Sequence, residues 1–176
     1  MSKVIVFAGS NSKASINKQL ATYASSLLNN GQAEVLDLND FPLPIYGIDV
    51  ENEFGIPENA RRFVSLIEGA DGIVLSLAEH NGSYAAVFKN IFDWMSRIEA
   101  KVWRNKPMLL LSTSPGARGG SGVLASAKMA YPYQGGNIVG KFSLPSFFDN
   151  FRDGKVTNEE LNEILKSEVL KLDSVL

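Results

Sequence analysis

Residues 4–17 read VIVFAGSNSKASIN, and this stretch decides the fold. The apolar, mostly β-branched run at residues 4–7 is typical of a buried strand, which breaks at Gly9. Small polar residues follow, and from Ile16 the apolar residues recur at helical spacing through Leu20, Ala24 and Leu27. The stretch therefore predicts a strand, a short loop and the N-terminus of a helix.

The loop in this stretch has the chemistry of an anion site. It carries the hydroxyls of Ser10, Ser12 and Ser15, the Lys13 ammonium and the Asn17 amide. Backbone N–H groups at a helix N-terminus and the positive end of the helix dipole favour a phosphate there. Serine and asparagine are also common helix caps, so an ordinary strand-to-helix turn stays open as the alternative.

The composition limits the classes of protein to consider. The chain has 176 residues, 45% of them hydrophobic, which predicts a single domain over residues 1–176. A net charge of −2 without a basic run argues against nucleic acid and anionic membranes as partners. The absence of cysteine excludes disulfides, thiolate metal sites and a cysteine nucleophile, so redox chemistry would need a bound cofactor. With no signal-peptide pattern and no apolar run long enough for a membrane span, we expect a soluble cytoplasmic protein.

Strands and helices alternate along the whole chain. The apolar patterns predict strands at 4–8, 33–38, 72–77, 108–112 and 137–144, and helices at 16–28, 58–70, 83–98, 120–130 and 158–172. Between them, residues 39–57 contain three prolines and two glycines and are predicted to form a long loop with little regular structure. The alternation predicts an α/β fold with an open parallel sheet and helices on both faces. Two five-strand orders stay open, and both place a ligand at the carboxyl ends of the strands.

Two more loops at that edge are rich in small polar residues. Residues 78–83 read AEHNGS after the third strand, and residues 112–120 read STSPGARGG after the fourth. Glycines in both loops allow backbone to approach a flat ligand. His80 is either a surface residue or part of the site. No second histidine or carboxylate cluster accompanies it, so we predict no metal site.

Together these loops resemble a known family. Gly9-Ser10 with Ser15 and Asn17, then EHNGS at 79–83 with KNIFDW at 89–94, then STSPGARGG at 112–120 are similar to the NAD(P)H-dependent FMN reductase family, as is the tail at 145–157. That family includes quinone, azo-dye and chromate reductases. The resemblance covers nearly the whole chain. It implies a flavodoxin-like three-layer sandwich whose five-stranded parallel sheet has the order 2-1-3-4-5.

The resemblance also implies roles for particular residues. The first loop would wrap the FMN phosphate, the second would run along the isoalloxazine ring, and the third would border the pyrimidine side of the ring. The implied cofactor-binding residues are Ser10, Asn11, Ser12, Lys13, Ser15, Ile16, Asn17, Glu79, His80, Asn81, Gly82, Ser112, Ser114, Gly116 and Arg118. For Arg118, contact with the phosphates of the nicotinamide dinucleotide and simple exposure to solvent both stay open.

The chain departs from the family pattern at two places. Ser12-Lys13 stands where the family commonly has an arginine, and a lysine cannot make the forked contact of a guanidinium. In the second loop, Ala78 and His80 stand where the family usually has proline and tyrosine. These departures bear on phosphate geometry, on the stacking partner of the ring and on substrate preference.

The implied activity is oxidoreduction through bound FMN. NADPH or NADH would give a hydride to flavin N5 and leave, and a small acceptor such as a quinone, azo compound, free flavin or chromate would then take the electrons, in a ping-pong sequence. No catalytic side chain is expected, because the flavin carries the hydride. The alternative is a flavodoxin-type electron carrier, which binds FMN but has no turnover with nicotinamides.

Helix 83–98 has a wide apolar face. One stripe is formed by Tyr84, Val87, Phe88, Ile91, Met95 and Ile98. Phe92 and Trp94 widen it, and Asp93 and Arg97 stand at pairing distance on the narrow polar strip. This width predicts homodimerisation through the helix, and the resemblance implies the same, with a homotetramer possible. A helix buried under the long loop is the alternative.

Overall fold

The computed structural model describes residues 1–176. Its main sheet has five parallel strands, which lie side by side in the order Gly31–Val35, Ser2–Gly9, Gly72–Leu77, Pro107–Thr113 and Asn137–Leu144. This is the order 2-1-3-4-5 among the main strands, so the predicted fold is confirmed. The strands of the sheet are β1 (Ser2–Gly9), β2 (Gly31–Val35), β3 (Gly72–Leu77), β6 (Pro107–Thr113) and β7 (Asn137–Leu144).

Helices cover both faces of the sheet. The helices are α1 (Ile16–Ser26), α2 (Ile48–Phe54), α3 (Glu58–Glu68), α4 (Ala86–Ile98), α5 (Ser121–Ala130), α6 (Phe147–Asn150) and α7 (Glu159–Asp173). Successive residues of β1 point to opposite faces, so Ile5 and Phe7 pack with α3, α4 and α5 in one core. Val4 and Val6 pack with α1 and α7 in the other core. None of these helices combines the length and the apolar composition that a membrane span requires.

Two short hairpins and two 3-10 turns complete the chain. The hairpins pair β4 (Glu79–His80) with β5 (Ser83–Tyr84) and β8 (Phe151–Arg152) with β9 (Lys155–Val156). Helix 83–98 thus begins three residues later than predicted, at Ala86, because residues 83–84 pair as a strand. The second strand runs earlier than predicted, over Gly31–Val35 instead of 33–38.

The long loop is more regular than predicted. It contains a 3-10 turn at Leu38–Asp40 and the helix α2 over Ile48–Phe54. The expectation of little regular structure was therefore wrong for these residues. No residue of α2 is buried, so packing against the core does not impose an apolar stripe on its sequence.

The loop covers α4, which settles the role of Trp94. The Trp94 side chain is fully buried, its Nε1 donates to the Pro44 carbonyl at 2.8 Å, and its ring meets that of Tyr46 edge to face. The interpretation that Trp94 widens an exposed face was therefore wrong. Asp93 pairs with Lys89 and Arg97 pairs with Glu51, so the predicted pairing of Asp93 with Arg97 is also wrong.

The first and last residues lie side by side at the amino edge of the sheet. Ser2 Oγ donates to the Leu176 carbonyl at 2.7 Å, and Leu176 packs where Gly31 and Gly72 leave room for it. This edge lies at the start of β1, opposite the edge that carries the loops of the predicted site.

Candidate functional site

The loops after β1, β3 and β6 meet in a cleft at the carboxyl edge of the sheet. Its volume is about 300 Å³, and it is open to solvent. The lining residues come from all three loops and from α6; they are Ser10, Ser12, Ala14, Ser15, Ile16, Asn17, Ala78, Glu79, His80, Thr113, Ser114, Pro115 and Phe148. The predicted convergence of the loops is therefore observed, at the position expected for a ligand in a sheet of this order.

The first loop is held by its own serines. Ser10 Oγ accepts from the Ser12 N–H, and Ser15 Oγ accepts from the Lys18 N–H as the N-cap of α1, both at 3.1 Å. A serine hydroxyl also has one O–H to donate, and neither of these hydroxyls donates to another group of the protein. The loop thus presents two fixed hydroxyls with free protons.

Backbone N–H groups at the start of α1 are also free. The N–H groups of Asn11, Ile16 and Asn17 donate to no acceptor in the protein. Those of the first helical turn cannot bond within the helix, and they lie at the positive end of its dipole. Lys18 is already paired with Asp37 at 2.6 Å, and this hydrogen bond lowers the pKa of the Asp37 carboxyl. Lys13, which has no such partner, is the cation that this loop leaves free.

Asn17 ties the first loop to the middle of the sheet. Its Nδ2 donates to the Thr113 carbonyl at 3.1 Å, and its Oδ1 accepts from the Thr113 N–H and from Ser76 Oγ at 3.0 and 2.7 Å. Only 3% of Asn17 is exposed, and Ser76 and Thr113 are buried as well. One side chain therefore joins α1 to β3 and β6 in a water-poor environment. The second proton of Nδ2 donates to no acceptor in the protein.

The second loop is a tight hairpin. Asn81 and Gly82 have φ angles of 52° and 76°, which are the left-handed values that a two-residue turn between such strands requires. Along the hairpin, Glu79 pairs with Tyr84 and His80 with Ser83. His80 is exposed at the cleft, whereas the Glu79 side chain is largely buried.

The third loop is held by hydroxyl groups from two strands. The Gly119 carbonyl accepts from Ser112 Oγ and Ser143 Oγ, both at 2.9 Å. Earlier in the loop, the Ser114 and Gly116 carbonyls accept from the N–H groups of Phe147 and Ser146, which fixes α6 beside the cleft. The N–H groups of Ser114 and Gly116 donate to no acceptor in the protein.

Comparison with known families gives this cleft its context. The profile described as NADPH-dependent FMN reductase matches residues 2–149. The chain belongs to this family. The match includes all three loops of the cleft, so the resemblance that the sequence motifs indicate is confirmed.

Relatives of the NADPH-dependent FMN reductase family share much of the sequence. The chain is 39% identical over 119 residues to a 2-hydroxy-1,4-benzoquinone reductase of Burkholderia sp., which is 66% of this chain and 63% of the relative. It is 29% identical to an Arabidopsis thaliana NADPH:quinone oxidoreductase, over 98% of this chain and 90% of the plant protein. The match thus spans less than two thirds of the Burkholderia relative but nearly all of the plant one.

A solved flavoenzyme has the same fold. The structure of FerB, an NAD(P)H:(acceptor) oxidoreductase from Paracoccus denitrificans, superposes with a TM-score of 0.78 and 27% identity. The superposition covers 99% of this chain and 96% of FerB. The superposition therefore extends over the segment after residue 149, which the family profile does not match.

About half of the residues that the family resemblance singles out line the cleft. These are Ser10, Ser12, Ser15, Ile16, Asn17, Glu79, His80 and Ser114. The other seven do not line it. Asn11 and Lys13 line neighbouring pockets, and Ser112 is fully buried. The remaining four are exposed in the second and third loops: Asn81, Gly82, Gly116 and Arg118. The Ser112 hydroxyl is used inside the protein on the Gly119 carbonyl, so it does not face a ligand in the cleft.

Five lining residues were not among the predicted ones. Ala14, Ala78, Thr113 and Pro115 adjoin predicted residues in the chain, so neighbourhood alone would have found them. Phe148 comes from α6, and 63% of it is exposed. The segment around it resembles the tail of the family, but only the contacts of α6 with the third loop place Phe148 at the cleft.

Proposed function

We propose that this chain binds FMN in the cleft and uses it to pass electrons from NADPH or NADH to a small acceptor, with quinones as the first class to test. The observation that carries the proposal is the free donor set at the start of α1. Two serine hydroxyls and the N–H groups of Ile16 and Asn17 have protons with no acceptor in the protein. A phosphate dianion supplies the acceptors that such a set requires.

Both side chains and backbone groups would contribute hydrogen bonds to the FMN phosphate. The hydroxyls of Ser10 and Ser15 would donate hydrogen bonds to the phosphate. The backbone N–H groups in the first turn of α1 would donate to it as well. Lys13 would add a point charge without the forked geometry of an arginine. The phosphate contacts here come mostly from groups that are already fixed, so binding orders few side chains.

The two other loops would hold the flat end of the cofactor. When bound, FMN would accept a hydride from the nicotinamide and pass it to the acceptor. The free N–H groups of Ser114 and Gly116 would donate toward negative charge on the pyrimidine side of the ring. His80 in the second loop and Phe148 in α6 both line the cleft, and both are exposed enough to meet an incoming substrate.

Anaerobic spectroscopy tests the proposal. The protein is loaded with FMN, and excess NADPH or NADH is expected to bleach the flavin absorbance, with colour restored by adding a quinone. Riboflavin is the matched control, because it lacks the phosphate; we expect it to bind about 100-fold more weakly, from two or more lost charge-assisted hydrogen bonds.

Three other outcomes of these flavin experiments would each contradict a different part of the proposal. A protein that takes up no FMN would overturn the proposed cofactor. A loaded protein that is reduced by dithionite but by neither nicotinamide would identify an electron carrier of the flavodoxin type. Equal affinity for FMN and riboflavin would remove the phosphate role of the first loop.

We further propose a homodimer that includes the region of helix 83–98. Trp94 is buried and cannot form part of an interface. Residues 39–57, which cover α4, nevertheless expose the apolar side chains of Ile45, Ile48 and Phe54. Exposed apolar groups of this size favour association. Sedimentation at micromolar concentration is expected to give a dimer that Phe54→Asp weakens, whereas the distant change Ile164→Asp leaves it intact. A wild-type monomer would contradict the proposal.

A further inference from the structure

Glu79 lines the cleft, and its carboxylate is largely buried and bonded to the start of α5. Only 12% of its side chain is exposed. Its Oε2 accepts from the Val123 N–H at 2.8 Å, across 44 positions of the sequence. Glu79 opens the second loop, and Val123 lies in the first turn of α5 directly after the third loop. This hydrogen bond therefore joins the second loop to the helix that follows the third loop.

The start of α5 has no cap of its own. Its N-cap is Gly120, which has a φ of 73° and no side chain to accept from the first turn. N–H groups in that turn have no partner within the helix, and a carboxylate there also interacts favourably with the helix dipole. Glu79 thus provides from the neighbouring loop the cap that most helices obtain from the preceding residue.

Gly122 leaves the space that this carboxylate occupies. A Cβ at position 122 would lie 2.8 Å from Glu79 Oε2, which is closer than real Cβ contacts, so the carboxylate would have to move. Arg118 Nη2 lies 3.9 Å from Oε1, but 86% of the arginine side chain is exposed. The helix terminus, and not the arginine, is therefore the main partner of the carboxylate.

We propose that Glu79 is a positioning residue, whose carboxylate fastens the second loop to the first turn of α5 and so sets the width of the cleft, with Gly122 as the space that admits it. The link to the flavin ring rests on the proposed function. The link between the loops does not, because it is a property of the protein without ligand. His80 follows Glu79 directly, so the same hydrogen bond fixes where His80 stands on the rim.

Amide hydrogen exchange on the protein without flavin tests the link between the loops. Glu79→Ala removes the acceptor, and we expect protection of the Val123 amide to fall about 10-fold or more. Glu79→Gln keeps a side-chain oxygen, so protection should stay within about threefold of wild type. Glu53→Ala, at an exposed glutamate of α2, is the control and should change nothing. Unchanged protection of Val123 in Glu79→Ala would overturn the proposal.

A double-mutant cycle tests the role of Gly122. Gly122→Ala alone should lower the melting temperature, because the new Cβ displaces the carboxylate. In the Glu79→Ala background, the same change should leave the melting temperature unchanged or raise it, since alanine favours a helix over glycine. Equal lowering in both backgrounds would show that the glycine and the carboxylate do not share this space.

Flavin measurements then connect the loop contact to the cleft. We expect Glu79→Ala to weaken FMN binding about 10-fold and Glu79→Gln to restore most of it, with riboflavin affected equally because the phosphate loop is untouched. A wild-type protein that binds no FMN would refute the proposed function, while the exchange and melting results would still decide the loop contact. Normal FMN and riboflavin affinity in Glu79→Ala would refute the link to the cleft alone.

Discussion

Asn17→Ala is expected to lower the free energy of unfolding by about 3–5 kcal/mol, a large share of the stability of a small domain. The change strands three buried groups at once: the Ser76 hydroxyl, the Thr113 N–H and the Thr113 carbonyl. Each buried polar group that loses its partner costs about 1–3 kcal/mol. Denaturant unfolding of the protein without flavin measures the loss directly.

Two further variants separate hydrogen bonding from other effects of this change. Asn17→Asp keeps the Oδ1 acceptor and removes the Nδ2 donor, and it adds a buried charge, so we expect it to be no more stable than alanine. Asn52→Ala, at an exposed position of α2, should stay within about 0.5 kcal/mol of wild type. A loss below about 1 kcal/mol for Asn17→Ala would show that water replaces the missing amide.

Gly119→Ala is expected to cost about 3–4 kcal/mol, because conformation and space both oppose a side chain there. Gly119 has a φ of 56°, and an added Cβ would lie 2.6 Å from Ser143 Oγ and 2.7 Å from the Leu144 carbonyl oxygen. The backbone atom cannot move without shifting β7. We expect the third loop to be displaced and FMN binding to weaken along with stability.

Gly154 supplies the matched control for this substitution. It has a φ of 77° in the turn between β8 and β9, but an added Cβ would meet nothing within 4 Å. Gly154→Ala therefore measures the conformational cost alone, which we expect to be about 1–2 kcal/mol. If both alanine variants lose the same stability, the close contacts of Gly119 with β7 contribute nothing.

The sequence was most informative where local pattern and tertiary environment agree. In β1 the buried residues form one unbroken apolar run, and the break at Gly9 coincides with the edge of the sheet, so strand, loop and helix were all predictable. α2 shows the opposite case. It has no buried face, and its seven residues lie between prolines and glycines, so no periodicity marked it.

For the site, the sequence indicated which residues lie near the cleft, but it did not indicate which hydrogen bonds their side chains make. Asn17 and Glu79 line the cleft, but their hydrogen bonds go to Thr113, Ser76 and Val123 inside the protein. Those contacts depend on residues 44 to 96 positions away, which no local motif encodes. The burial of Trp94 was not predicted for the same reason, since the Pro44 carbonyl that it contacts lies 50 positions earlier in the chain.

The contact between Ser2 and Leu176 gives the molecule a convenient point of attachment. Because Ser2 and Leu176 are in contact at the amino edge of the sheet, a short glycine-rich bridge would link these two positions, and the backbone could then be opened at the exposed turn between β8 and β9. Reporter domains or electrode tethers fused near Ser2 or Leu176 would project away from the cleft, because the cleft lies at the opposite, carboxyl edge of the sheet.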